Sequence, residues 1–191
     1  MTEDARDARR ALDEIENVKG KSRALQGYSY AWPVFVVWGL VWLAANLATY
    51  YSLLGRWAWP VGILVGTAAT LIFVLRMSRQ IGRMIESPSF GRRFSLRFAA
   101  QVAIFFAGIS AIFTVLDPPT ADQTNAAISL FVAISYLFLG LYHGARIFVA
   151  GVAVAVVTLV GFHGFREVFD LWMAFIGGGI LIATGLWLRT A

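Results

Sequence analysis

Six stretches of about 17–22 mostly apolar residues, near 33–54, 57–76, 96–116, 126–143, 147–164 and 169–188, dominate this chain. A run of that length, wound as a helix at 1.5 Å per residue, crosses the ~30 Å hydrocarbon layer of a bilayer. Inside that layer a helix pairs its own backbone polar groups, which an isolated strand cannot do. Composition agrees, because 59% of the residues are hydrophobic and only 14% are charged, against about a quarter charged in soluble domains. The expected fold is all-α: a polytopic membrane protein with six transmembrane helices arranged as three helical hairpins, preceded by a cytoplasmic N-terminal helix. Residues 1–30 form the polar arm and 31–191 the bundle.

Charge sets the direction of threading. Between the second and third runs, Arg76, Arg79, Arg83, Arg92, Arg93 and Arg97 face a single acid, Glu86. With the N-terminus in the cytoplasm, the inner segments hold these six together with Arg6, Arg9, Arg10, Lys19, Lys21, Arg23, Arg146 and Arg189. Only Arg56 and Arg166 fall outside, where Asp117, Asp122, Glu167 and Asp170 also lie. The positive-inside rule therefore puts both termini in the cytoplasm, with a bacterial inner membrane as the expected location. Tyr28, Tyr30 and Trp32 at the first entry, Tyr50 and Tyr51 at its exit, and Trp57 and Trp59 beyond read as interfacial aromatic belts.

The basic bridge has a pattern of its own. Met77, Ile81, Met84 and Ile85 share one helical face while Arg76, Arg79 and Arg83 fall largely on another. The second span is expected to continue as an amphipathic helix until Ser87-Pro88 stops it. Six arginines there make a surface for the anionic inner leaflet or for a partner protein. In the arm, Thr2 can cap a helix whose apolar stripe is Ala5, Ala8, Leu12 and Ile15. That stripe is too thin to stand alone, so the arm is either a solvated helix or a docking helix. In the second case Leu12 and Ile15, flanked by Arg9 and Glu16, would meet a cytosolic protein.

A weak repeat runs through the hairpins. Gly39, Gly108 and Gly151 occupy like positions in the odd runs, followed 27 residues later by Gly66, Ser135 and Gly178 in the even ones. Arg76, Arg146 and Arg189 come ten or eleven residues after those. Small residues at such positions suit helix crossings, as do the Gly62/Gly66 and Gly140/Gly144 pairs. The Gly177-Gly178-Gly179 run suits close packing or a local break in the sixth helix.

Chemistry is sparse. There is no cysteine, hence no disulfide or thiolate site. His143 sits at the inner end of the fourth run and His163 near the outer end of the fifth; a helix from 146 to 163 rises ~25 Å, so the two are too far apart to share a metal or haem. No Asp, Glu, Lys or Arg falls in the middle third of any run, which argues against proton-coupled transport and voltage sensing. No phosphate loop, catalytic set or metal-ligand spacing is present. Accordingly no catalytic residue, metal, cofactor or direct nucleic-acid contact is expected. Asn46, Thr70, Gln101 and Ser135 remain at depth, as interhelical contacts or as a polar path.

Ala-Leu-Asp-Glu-Ile-Glu at 11–16, Tyr-Ser-Tyr-Ala-Trp-Pro at 28–33 and Trp-Gly-Leu-Val-Trp-Leu at 38–43 give the first 45 or so residues a likeness. They resemble a group of small bacterial membrane proteins of unassigned activity, thought to pair with winged-helix transcription regulators. In architecture alone, three hairpins in about 190 residues are also similar to the acid-activated urea channels and an acid-resistance membrane family. This chain lacks the long polar outer loop with histidines of those channels. The resemblance implies a non-enzymatic membrane regulator whose arm and basic bridge bind a cytosolic partner. A passive channel for small neutral solutes and an accessory subunit of a membrane complex are the alternatives, and homo-oligomerisation is compatible with each. If the threading is right, a reporter enzyme active only in the periplasm stays silent when fused at Ser89; activity there reverses the map.

Overall fold

The computed structural model describes residues 28, 29, 31–84, 103–105, 107–114 and 120–190, and these are helical with short turns. Helix α1 spans Ala31–Tyr50, α2 Ala58–Met84, α4 Ala121–His143 and α5 Ala145–Gly164. A shorter apolar helix, α3, spans Ala103–Thr114. The last rod, α6 (Arg166–Arg189), changes pitch on the way: a 3-10 turn, an α turn at Phe169–Trp172, a π turn at Met173–Gly177, then α-helix from Gly178. Five of these helices, α1, the stretch Gly55–Met77, α4, α5 and α6, are long and apolar enough to cross a membrane. The described part of the third run is shorter than the expected 96–116.

Local chemistry explains most ends. Thr120 starts α4 with a capping box: its hydroxyl accepts from the Gln123 N–H, and its own N–H donates to Gln123 Oε1 at 2.9 Å. The fourth run thus begins five residues earlier than apolarity alone indicates, and takes in Asn125. Between α4 and α5 only Gly144 leaves the helical path, at φ +118°, a conformation glycine adopts without penalty. Helix α2 runs past Arg76 to Met84, as the face pattern of the bridge implies. At the exit of α1 the helix stops at Tyr50, and positive φ at Ser52 and Gly55 turns the chain into α2.

The helices meet where side chains are absent. A Cβ added at Gly39 would stand 2.8 Å from the Gly178 carbonyl, and one at Gly178 would stand 2.9 Å from the Gly39 carbonyl. Two turns further along α6, Gly185 lies under the Trp32 carbonyl, so α1 and α6 touch backbone to backbone at both places. Gly151 of α5 fits against the Ala133 carbonyl and Leu137 N–H of α4, the residues flanking Ser135. The repeat positions therefore mark two real crossings, Gly39 with Gly178 and Gly151 beside Ser135. Gly66 and Gly62 instead receive Val41, Trp38 and Ala45 within the α1/α2 hairpin, and Gly140 admits the Phe148 backbone. Trp42, Phe169, Met173, Leu181, Leu188 and Val154 fill the space between α1, α5 and α6.

One end of the bundle is built from arginine and aromatic rings. Arg146 donates to the Trp187 carbonyl at 2.6 Å and lies over the Tyr28 and Trp187 rings. Arg189 lies over Trp32, 5.3 Å from the ring centre. Tyr28 is not a belt residue, as its place in the sequence implied: it is buried, and its hydroxyl accepts from the Arg146 N–H that opens α5. Tyr51 and Trp57, at the opposite end, are exposed as the belt reading requires.

Glycine at 178 and at 179 should therefore answer differently to the same methyl. Gly178→Ala forces backbones apart and should cost ~1–3 kcal/mol. Gly179, with nothing within 4 Å of its added Cβ, should accept alanine without loss. Equilibrium unfolding in mixed micelles measures both, and equal effects would refute the α1–α6 contact.

Candidate functional site

The most concentrated polar chemistry among the described residues joins three helices. Asn46, on α1, has no exposed surface; its amide donates to the Trp42 carbonyl at 2.8 Å, one turn back. Its Oδ1 accepts from the Asn125 amide of α4 at 2.7 Å. The same Asn125 nitrogen donates to Asp170 Oδ1 of α6 at 3.1 Å, and Ser129 Oγ lies 3.5 Å from Asn125 Oδ1. One primary amide thus uses both of its hydrogens to bridge an amide and a carboxylate on separate helices.

The helices deliver these groups for local reasons. The Thr120 capping box sets the register that turns Asn125 and Ser129, four residues apart, to one face of α4. On α6 the π turn inserts a residue into the helical register, rotating the upstream half of the rod by about 100° relative to the downstream half. Gly178, Ile182 and Gly185 then face α1 while Phe169 and Asp170, upstream, face α5 and α4. Trp42 of α1 meets this turn at Gly177, and Met173 and Ala174 within it are fully buried. Asp122, one turn before Asn125, adds a second negative charge near Asp170. The cluster descends from a half-buried carboxylate at one end of the bundle to a sealed amide inside it.

Sequence reading places Asn46 among interhelical contacts but misses its partners. It counts Asp170 among the outer charges, at the start of the sixth run, and the structure engages that carboxylate with Asn125. Asn125 lies outside the expected fourth span. The Thr120-x-x-Gln123 pattern is the available signal that α4 begins early enough to include it.

The expected polar path does not assemble from its described members. Asn46 turns to Asn125, whereas Thr70 accepts from the Trp38 indole N–H at 3.1 Å and donates to the Gly66 carbonyl at 2.8 Å. Ser135 donates to the Phe131 carbonyl in its own helix. Gln101 lies outside the described residues, as do Arg9, Leu12, Ile15, Glu16, Arg92, Arg93 and Arg97, and the Arg83 side chain. Arg76 and Arg79 are exposed on α2. His143 closes α4 at the arginine-rich end and His163 stands at the far end of α5, separated as expected. Among the described residues no three of His, Cys, Asp and Glu come close enough to hold a metal. No family model, no curated protein and no solved structure matches the chain.

The arrangement can lock helices together, because its hydrogen bonds run between α1, α4 and α6. Its strength is testable by a double-mutant cycle. Asn46→Ala and Asn125→Ala should each destabilise the bundle by ~1–2 kcal/mol, since each strands a buried partner. Their coupling should be ~0.6–1.7 kcal/mol, the range of interhelical hydrogen bonds in membranes. Additive effects in reversible unfolding would show that the pair is not a joint.

Proposed function

We propose that this chain is a non-enzymatic regulator of the bacterial inner membrane, with six spans and both termini in the cytoplasm. Its polar arm and the Arg76–Arg97 bridge hold a cytosolic protein, and the likeness of residues 11–43 suggests a transcription regulator as that partner. The spans serve as a rigid frame that positions the two polar segments side by side at one membrane surface.

One observation carries this reading: where the buried polar groups go. Among the described residues, Thr67 Oγ1 is the one buried side-chain polar atom without a hydrogen-bond partner. Asn46, Asn125, Ser129, Thr70, Thr158 and Thr184 are buried; Asn46 and Asn125 pair across helices, Ser129 donates to the Asn125 side chain of its own helix, and Thr70 and Thr158 donate to backbone carbonyls one turn back. A solute path needs a file of groups free to replace water, and among the described residues the interior offers packed apolar side chains instead. That weighs against the channel alternative. Basic charge, by contrast, gathers in the segments joining spans at one end, the distribution expected where a protein meets an anionic leaflet and a cytosolic partner.

Capture from membranes solubilised in mild detergent provides the test. Full-length protein should retain a cytosolic partner that a variant lacking residues 1–24 loses or binds at least tenfold more weakly. Identical partners for both forms would remove the arm from the mechanism.

A further inference from the structure

The α1/α2 hairpin leaves a groove along its outer side. Pro33, Val34 and Val37 of α1 and Ala69, Ile72 and Phe73 of α2 line a depression of about 340 Å³, with Arg76 at its mouth. Beyond Val37 and Ala69 it continues into a second apolar depression, past Ala45 and Gly62. The floor is shallow because the contact residues are small: Gly62 and Gly66 let Val41 and Trp38 close in, and Ala69 adds only a methyl.

Two features set the chemistry of an occupant. Thr70, a polar side chain on the floor, is silenced by Trp38 and by the Gly66 carbonyl, so the depression offers only hydrocarbon. At the mouth the situation reverses. Arg146 and Arg189 are already committed to a carbonyl and to aromatic faces. Arg76 and, one turn on, Arg79 are exposed and engage no carboxylate, carbonyl or ring among the described residues. Hydrocarbon below and exposed guanidinium above match an anionic lipid of the bilayer. From Arg76 to Ala69 the groove descends ~10 Å, and its continuation covers the ~15 Å depth of one leaflet.

We propose that the α1/α2 groove is a binding site for a single anionic phospholipid, with one acyl chain along Val37 and Ala69 and the phosphate on Arg76. The guanidinium fork pairs with two phosphate oxygens, and Arg79 adds a second positive charge. Basic sites between membrane helices select anionic headgroups in this way. The inference rests on the membrane-spanning part of the functional reading, and neither on the cytosolic partner nor on which end faces the cytoplasm.

Native mass spectrometry of the full-length protein tests it, after reconstitution with phosphatidylcholine and phosphatidylglycerol of identical acyl chains and extraction in mild detergent. About one phosphatidylglycerol per chain should be retained in preference to phosphatidylcholine. Arg76→Gln, at an exposed position, should leave the fold intact and lower retention by about fivefold, the effect of one interfacial base. Arg56→Gln, at the opposite end, should change nothing. Ala69→Phe should fill the groove and release the lipid. Equal retention of the two lipids, or full retention by Arg76→Gln, would overturn the proposal. A dimer that Ala69→Phe dissociates while lipid retention is unchanged would assign the groove to a second copy and overturn it as well. Loss of lipid selectivity with partner capture intact would indict this site alone, and the converse would indict the functional reading.

Discussion

Two carbonyl-bearing glycines, Gly39 and Gly178, hold the first and last helices at backbone distance, and the remaining architecture depends on that approach. Hydrocarbon is as apolar as leucine, so burying leucine against leucine gains little for a helix already in a membrane. Dispersion between closely fitted surfaces and hydrogen bonds between helices must supply the association. Both need short interaxial distances, which only small residues allow. With α6 drawn onto α1, Trp42, Met173 and Leu181 close the interior and Asp170 comes within reach of α4.

The Asn46–Asn125–Asp170 joint adds direction to that packing. Glycine contacts fix how near two helices come but tolerate sliding, whereas an amide hydrogen bond of 2.7 Å does not. The π turn at Met173–Gly177 lies between Asp170 and the Gly178 face and offsets their register within one rod. A half-buried carboxylate held by a neutral amide is tolerable because it sits in the first turns of α6, near the water layer, rather than at mid-membrane.

At the other end, arginine has a divided role. Arg146 and Arg189 tie the start of α5 and the end of α6 to the aromatic entry of α1, through Tyr28, Trp32 and Trp187. Arg76, at the equivalent place in α2, is left exposed beside an apolar groove. Like positions in a weak repeat have thus diverged, two into structural braces and one into an exposed cation that engages none of the described residues. That contrast, rather than the total basic charge, makes Arg76 of interest.

Much of this was legible in the residues alone. Apolar run length announced membrane-spanning helices because hydrocarbon thickness is a fixed ruler, and the spacing of Gly39, Gly151 and Gly178 marked where backbones would touch. The helical extension beyond Arg76 was also written locally, in an alternating face, whereas the gap expected across 144–146 narrows to Gly144 alone. What the tertiary structure alone decided was which polar groups meet. Asn46, Asn125 and Asp170 are separated by 79 and 45 residues, and hydropathy treats an asparagine and an aspartate at span boundaries as mere ends. Their pairing comes from the pitch of α6 and the closeness of α1, and no local pattern encodes a relation between helices that exists only once they have packed.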